Sequence, residues 1–211
     1  MAKGTGELVG HRAVIFDWGG VLMRTQDHRA RHAWDRRLGA EQGYVESVVH
    51  GTEAWRQAQR GELSADSYWR AVGDALGLGG DAPAQLRADF YSGDRLDEQM
   101  VSLIRDLRAR GVLVGLLSNN TPDLARELAE LGLGELLDAR VISAEVGAMK
   151  PDPQPYRHIL ARLGVRAQDA ILVDDFPENV EGARAVGMAA ILYRAGMDLR
   201  GALGEWLGIP L

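Results

Sequence analysis

The stretch Ala13-Val14-Ile15-Phe16-Asp17-Trp18-Gly19-Gly20-Val21-Leu22 decides how the rest of the chain is read. Four apolar residues run straight into an aspartate with no polar alternation. That is the pattern of a strand buried on both faces, with an acid at its carboxyl end. The same construction recurs further along. Val112 to Leu117 ends on Ser118, Val141-Ile142 is a shorter strand candidate, Ala170 to Val173 ends on Asp174, and Ala189 to Tyr193 is the next strand. Helical spacing separates them. Val101, Ile104 and Leu107 share a face before Gly111, and Thr121-Pro122-Asp123 caps a helix carrying Leu124, Leu128 and Leu131 before Gly132. Pro155 to Leu163 stops at Gly164, and Glu178 to Val186 stops at Gly187. Repeated strand–helix units predict an α/β fold: a doubly wound, Rossmann-like parallel sheet with helices on both faces.

From Arg24 to Arg95 the texture changes. This stretch is rich in Ala, Arg, Gln, Glu and Trp, with turn signals at Gly39, Gly51, Gly61 and Gly77 to Gly80. It predicts four or five short helices and no strand, with Ser64 as an N-cap. The expected organisation is a core of residues 1–23 and 96–211, with a helical cap of residues 24–95 inserted after the first strand.

Composition narrows the functional classes. The 211 residues carry 30 acidic and 24 basic side chains, a formal net charge of −6, and no cysteine. With 46% hydrophobic and 26% charged residues this is ordinary globular composition, long enough for a substantial core. An acidic balance argues against a nucleic-acid partner. The lack of cysteine excludes disulfides, thiolate metal sites and cysteine nucleophiles. No apolar run approaches the roughly 20 residues of a membrane span, and residues 1–10 lack the apolar core of a signal peptide. The expectation is a cytoplasmic protein with no membrane partner. Glycine, 26 in all, exceeds the usual share of roughly 7%.

In an open parallel sheet, ligands bind beyond the carboxyl ends of the strands. The residues expected there are Asp17, Ser118-Asn119-Asn120 and Asp174-Asp175, with Lys150 in a nearby loop. Clustered carboxylates repel, so a cation is expected among them, and oxygen-only donors favour Mg²⁺. Lys150 and the Ser118 hydroxyl would hold phosphate oxygens. An aspartate beside both is a credible nucleophile that forms an aspartyl-phosphate. Each element also has a plainer reading. Asp17 could cap a turn, Ser118 to Asn120 could lead into the Thr121 cap, Lys150-Pro151 could be an exposed turn, and Asp174-Asp175 could cap a helix. His28 and His32, with Arg29 and Arg31 interleaved, read as a solvated helix face. Trp34, Trp55 and Trp69 read mainly as cap core.

Four segments taken in order resemble the haloacid dehalogenase-like hydrolase superfamily. They are Phe16 to Leu22, Leu117 to Asn120, Met149-Lys150-Pro151-Asp152 with Tyr156, and Val173 to Asn179 leading into Glu181-Gly182-Ala183. The resemblance covers nearly the whole chain, including a helical cap of the C1 type directly after the first motif. It implies that Asp17 is nucleophile and metal ligand, and that Ser118 and Lys150 bind the phosphoryl group with the Asn119 backbone. It also implies that Asp175 and the Gly19 carbonyl hold Mg²⁺, while Asp174 and Asn179 act through water or by orienting Lys150. The implied activity is phosphatase, on a small phosphorylated metabolite.

One position departs from the pattern. The family's phosphatases usually carry a second aspartate two residues after the nucleophile, and here that residue is Gly19. Acid–base help of that kind is worth about 10²–10⁴ in rate. Three readings stay open. One is a phosphatase for good leaving groups, similar to the sugar-1-phosphate phosphatase branch, whose cap Glu53 to Trp69 resembles. Another is a 2-haloacid dehalogenase, against which the paired Asp174 and Asp175 count. The last is a member that only binds phosphate or metal. A phosphorylatable receiver module fits less well, since its acid pair would come early in the chain. Arg24, Asp27 and His28 follow the first motif closely enough to be candidates for the missing acid.

Overall fold

The computed structural model describes residues 11–211; the stretch 1–10, read above for a signal peptide, lies outside the described residues. In chain order the elements are β1 (Ala13–Phe16), β2 (Met23–Thr25), α1 (Arg29–Arg37), α2 (Tyr44–Gly51), α3 (Glu53–Gln59), α4 (Ala65–Ala75), α5 (Ala82–Tyr91) and β3 (Asp94–Leu96). Then follow α6 (Glu98–Ala109), β4 (Leu113–Ser118), α7 (Leu124–Glu130), β5 (Ala139–Ile142), α8 (Ser143–Val146), α9 (Pro153–Leu163), β6 (Ala170–Asp174), α10 (Pro177–Ala185), β7 (Ala189–Leu192) and α11 (Leu199–Leu207).

Five strands form one parallel sheet in the order β5-β4-β1-β6-β7. The chain winds outward from β1 in both directions, so the strand order reverses at β1. That reversal is where open α/β sheets bind their ligands. Register brings the strand ends level: Phe16 pairs with Leu116 on one side and Val173 on the other. Asp17 therefore stands beside Asp174 and one residue short of Ser118.

The unbroken apolar runs are explained by burial on both faces. Val14 and Phe16 pack with Ile104, Leu107 and Leu203 of α6 and α11. Ala13 and Ile15 point the other way, into Tyr156, Ile159 and Ala183 of α9 and α10. Each large side chain so buried contributes about 1.5–3 kcal/mol. The helices between β2 and β3 enclose a separate apolar core that includes Trp34, Tyr68, Trp69 and Phe90.

Three local expectations need correcting. The stretch from Arg24 to Arg95 contains five helices but also strand: β2 and β3 pair antiparallel, Arg24 opposite Arg95, where the chain leaves and re-enters the sheet domain. Three-residue strands carry no readable alternation, and their pairing is set by tertiary structure. The Thr121-Pro122-Asp123 segment makes no side-chain cap on α7. Its turn is closed by the Leu124 N–H donating to the Thr121 carbonyl at 3.2 Å, while Asp123 is drawn to Arg87. Finally, α11 lies beyond the last element that the sequence reading predicts. Asp198 accepts from the Gly201 N–H at 2.9 Å to start it, and Leu199, Leu203 and Leu207 are buried. Ser64 does cap α4, accepting from the Ser67 N–H at 3.2 Å. Among the described residues, no helix is long and apolar enough to cross a membrane.

Candidate active site

Lys150 sits at the centre of the cluster at the sheet's switch point. Its Nζ lies 2.9 Å from Asp17 Oδ1 and 2.6 Å from Asp174 Oδ2, and donates to the Leu117 carbonyl at 2.8 Å. All three ammonium protons are thus engaged by a side chain that is 1% exposed. Asp174 has no solvent exposure. It accepts from the Phe176 N–H at 2.9 Å and from Asn179 Nδ2 at 3.0 Å, so the first turn of α10 folds around it. The Tyr156 hydroxyl donates to the Asn179 carbonyl at 2.8 Å and fixes that turn from α9. Asn119 ties two loops together: its Nδ2 donates to the Lys150 carbonyl and its Oδ1 accepts from the Lys150 N–H, each at 2.8 Å.

The electrostatics follow from burial. Desolvation pushes the Asp17 carboxyl up to about 6; Lys150 opposes that rise and Asp174 adds to it. Burial alone would lower the Lys150 ammonium, but Asp17 and Asp174 outweigh it and hold it above the usual lysine range. The Asp175 carboxyl is raised by burial first and by Asp174 second.

The donor set fits a divalent cation. One carboxylate oxygen from each of Asp17, Asp174 and Asp175 lies within 4.8 Å of the others. One ammonium cannot neutralise three ionised carboxylates. Among the described residues, Asp175 Oδ1 is buried without a hydrogen-bond partner, a costly arrangement unless something positive meets it. Gly20 makes room for this carboxylate. It has φ +76°, and a Cβ there would lie 2.1 Å from Asp175 Oδ2. Because the Asp174 oxygens already serve Lys150, Asn179 and Phe176, Asp17 and Asp175 are the side chains left to hold a hard cation.

Ser118 is the buried last residue of β4. Gly19 is different from Gly20: its φ lies outside the left-handed range, and a Cβ built there meets nothing within 4 Å. The proposed substitutes for the missing acid are occupied elsewhere. Arg24 is paired with Asp97, Asp27 with Arg29 at 2.6 Å, and exposed His28 stacks on His32. Among the described residues, no hydrogen bond or ion pair joins any of the three to Asp17, Lys150 or Asp175. Trp34 and Trp69 are buried in the cap core, and half-buried Trp55 packs on Tyr68.

Three residues at the site had no part in the sequence reading. Ser143 Oγ accepts from the Asn120 N–H at 3.0 Å, Gln59 Nε2 donates to the Asn119 carbonyl at 2.8 Å, and Arg194 Nη1 donates to the Asp175 carbonyl at 2.8 Å. Ser143 directly follows β5 and Arg194 lies just beyond β7, so the strand-end rule could have found both. No local signal points to Gln59.

Comparison with known proteins gives the family and the fold. The family model described as haloacid dehalogenase-like hydrolase matches residues 11–187. A sesquiterpene phosphatase from Aspergillus oryzae is 31% identical over 182 residues, which is 85% of this chain and 88% of that protein. A phosphatase from Mycobacterium tuberculosis is 31% identical over 204 residues, 92% of each chain. A haloacid dehalogenase family enzyme from Bacteroides thetaiotaomicron, solved with magnesium and inorganic phosphate, shares the fold. Its TM-score is 0.75 at 18% identity, over 92% of this chain and 99% of that one. With a family match across most of its length and two phosphatase relatives above 30% identity, the chain belongs to the haloacid dehalogenase-like hydrolases.

Proposed function

We propose that the protein is a Mg²⁺-dependent phosphatase that hydrolyses a small phosphorylated metabolite through an aspartyl-phosphate on Asp17. Its preference is for good leaving groups such as sugar 1-phosphates and acyl phosphates. The observation that carries this reading is the cluster of Asp17, Asp174 and Asp175, one carboxylate oxygen of each within 4.8 Å of the others, in which Asp175 also has a buried oxygen with no partner among the described residues.

In this mechanism Asp17, Asp175 and the Gly19 carbonyl hold the cation, which when bound offsets negative charge on the phosphoryl oxygens. The Ser118 hydroxyl and the Asn119 N–H bind the phosphoryl group, and Lys150 Nζ joins them by turning the proton it gives Asp17 in the free protein toward a phosphoryl oxygen. An Asp17 oxygen attacks phosphorus, and the bond to the leaving oxygen breaks with its electron pair going to that oxygen. Water then attacks the phosphorus, releasing inorganic phosphate and returning Asp17 as a carboxylate. With glycine at position 19 no side chain there protonates the leaving oxygen. The proton must come from water, which favours leaving groups that are weak bases.

The direct test is a panel of phosphorylated compounds assayed with Mg²⁺ and with EDTA. Acetyl phosphate and sugar 1-phosphates are expected to be hydrolysed well, 6-phosphates poorly, and EDTA to stop both. A prenyl monophosphate belongs on the panel, because one relative is a sesquiterpene phosphatase. Activity that survives EDTA would sink the metal assignment. Chloride released from 2-chloropropionate would make the protein a dehalogenase, and binding of phosphate without turnover would make it a binder.

Two further results are expected. Gly19→Asp places an acid where the backbone is unstrained and the space open. It should raise the rate on 6-phosphates by about 10²-fold and change acetyl phosphate hydrolysis little. Steady-state kinetics on both substrates decides this. Mg²⁺ binding should also depend on pH. In the metal-free protein Asp17 titrates at about 6, above an unfolded value near 3.9. A carboxyl raised by folding favours the protonated form, so it costs stability progressively from about pH 4 to pH 6 and fully above that. A cation must displace that proton. Mg²⁺ affinity by calorimetry should therefore fall below pH 6, and Mg²⁺ should raise the melting temperature more at pH 7.5 than at pH 5.

A further inference from the structure

We propose that Gln59 is a positioning residue through which the helical cap holds the phosphoryl-binding loop in its working geometry; this rests on the phosphatase reading above. Gln59 ends α3 and is buried. Its Nε2 donates to the Asn119 carbonyl at 2.8 Å, while the N–H of the same peptide unit, on Asn120, donates to Ser143 Oγ at 3.0 Å. A peptide unit is planar, so holding both its ends fixes its tilt. One of those ends is held by the cap and the other by the core.

The tilt matters because of what Asn119 grips. Its side chain bonds the Lys150 backbone in both directions, and Lys150 Nζ lies 2.9 Å from Asp17. A movement at Gln59 thus reaches the nucleophile's ammonium partner through two residues. The approach of α3 is close by construction. Gly61 has φ +75°, and a Cβ there would lie 2.5 Å from the Ala144 carbonyl oxygen, next to Ser143. A second fastening, Arg87 of α5 to Asp123 at 2.7 Å, reaches the far end of the same loop. With the cap swung away, the Gln59 bond is lost and the 119–120 plane keeps only its core support. The phosphoryl-binding geometry is complete only while the cap is closed.

The test uses the full chain with Mg²⁺ and acetyl phosphate, a substrate with little beyond the phosphoryl group for the cap to touch. Misplacement of catalytic groups by about 1 Å costs up to roughly 100-fold. Gln59→Ala is expected to lower kcat by at least about tenfold with KM changed less than about threefold. Gln59→Glu, which keeps the size but turns an oxygen toward the Asn119 carbonyl, should behave like alanine. Hydrogen exchange of residues 118–123 should quicken in both variants while the cap helices exchange as in wild type. Exchange unchanged in the loop overturns the proposal, and so does quickened exchange with wild-type kcat. If the wild type hydrolyses nothing on the panel, the phosphatase reading fails, and exchange alone decides whether Gln59 holds the loop.

Discussion

Asp17→Asn is expected to lower turnover of the best substrate by about 10⁴-fold or more while leaving the metal-free protein at least as stable as wild type at pH 7.5. The activity loss follows from the proposed mechanism, in which an Asp17 oxygen forms the covalent bond; an amide oxygen is far too weak a nucleophile to replace it. The stability expectation follows from burial. Folding pushes the Asp17 carboxyl up to about 6, so at pH 7.5 it is ionised at a cost to the fold. Asparagine keeps the shape and removes repulsion with Asp174. Lys150 meanwhile retains Asp174 at 2.6 Å and the Leu117 carbonyl at 2.8 Å. Single-turnover assays and thermal melts in EDTA read the two effects separately. A variant keeping a tenth of wild-type activity would strip Asp17 of its role. A large drop in melting temperature would mean that its pairing with Lys150 outweighs its burial.

Lys150→Met should act on stability as well as activity. Asp174 is entirely buried and Asp17 nearly so, and this ammonium is the cation between them. Removing one member of a buried ion pair costs about 3–5 kcal/mol, because the charge left behind has no compensation. In a domain of this size that lowers the melting temperature by about 6–20 °C. Turnover should be lost too, since in the proposed mechanism Lys150 is the phosphoryl group's cationic partner. The two effects can be separated by pH: near pH 5, where Asp17 takes up a proton in the wild type, the repulsion weakens and part of the stability should return. Melting curves at pH 5 and 7.5 test this. A variant that melts with the wild type at both values would show that the triad does not hold the fold.

The sheet was legible because its strands are buried on both faces, and so appear as contiguous apolar runs ending on polar residues. Asp17, Ser118 and Asp174 all stand where those runs stop. What escaped reading depends on partners distant in sequence. The ribbon of Met23–Thr25 with Asp94–Leu96 exists because the cap's two ends must meet. Asp123 looks like a helix cap until Arg87 is brought beside it. Gly20 is visible as a glycine, but its reason, the Asp175 carboxylate, arrives much later in the chain. Gln59 looks like any polar residue at a helix end, and only the docked cap gives it a partner. The final helix is the exception. Asp198, Gly208 and the leucines at 199, 203 and 207 mark it locally, so the sequence itself carries its signal.

The central place of β1 also has a consequence for biosynthesis. β1 takes β4 and β6 as its neighbours, and the inserted helices and everything from α6 to α9 lie between β1 and β6 in the chain. Such pairing has high contact order and forms slowly. The cap's apolar cluster, drawn from residues Trp34 to Phe90, is local by comparison and is free to pack first. A nascent chain that has not yet reached Asp174 carries Asp17 without the two carboxylates that stand beside it in the fold. The acidic cluster is therefore assembled only after β6 has been made.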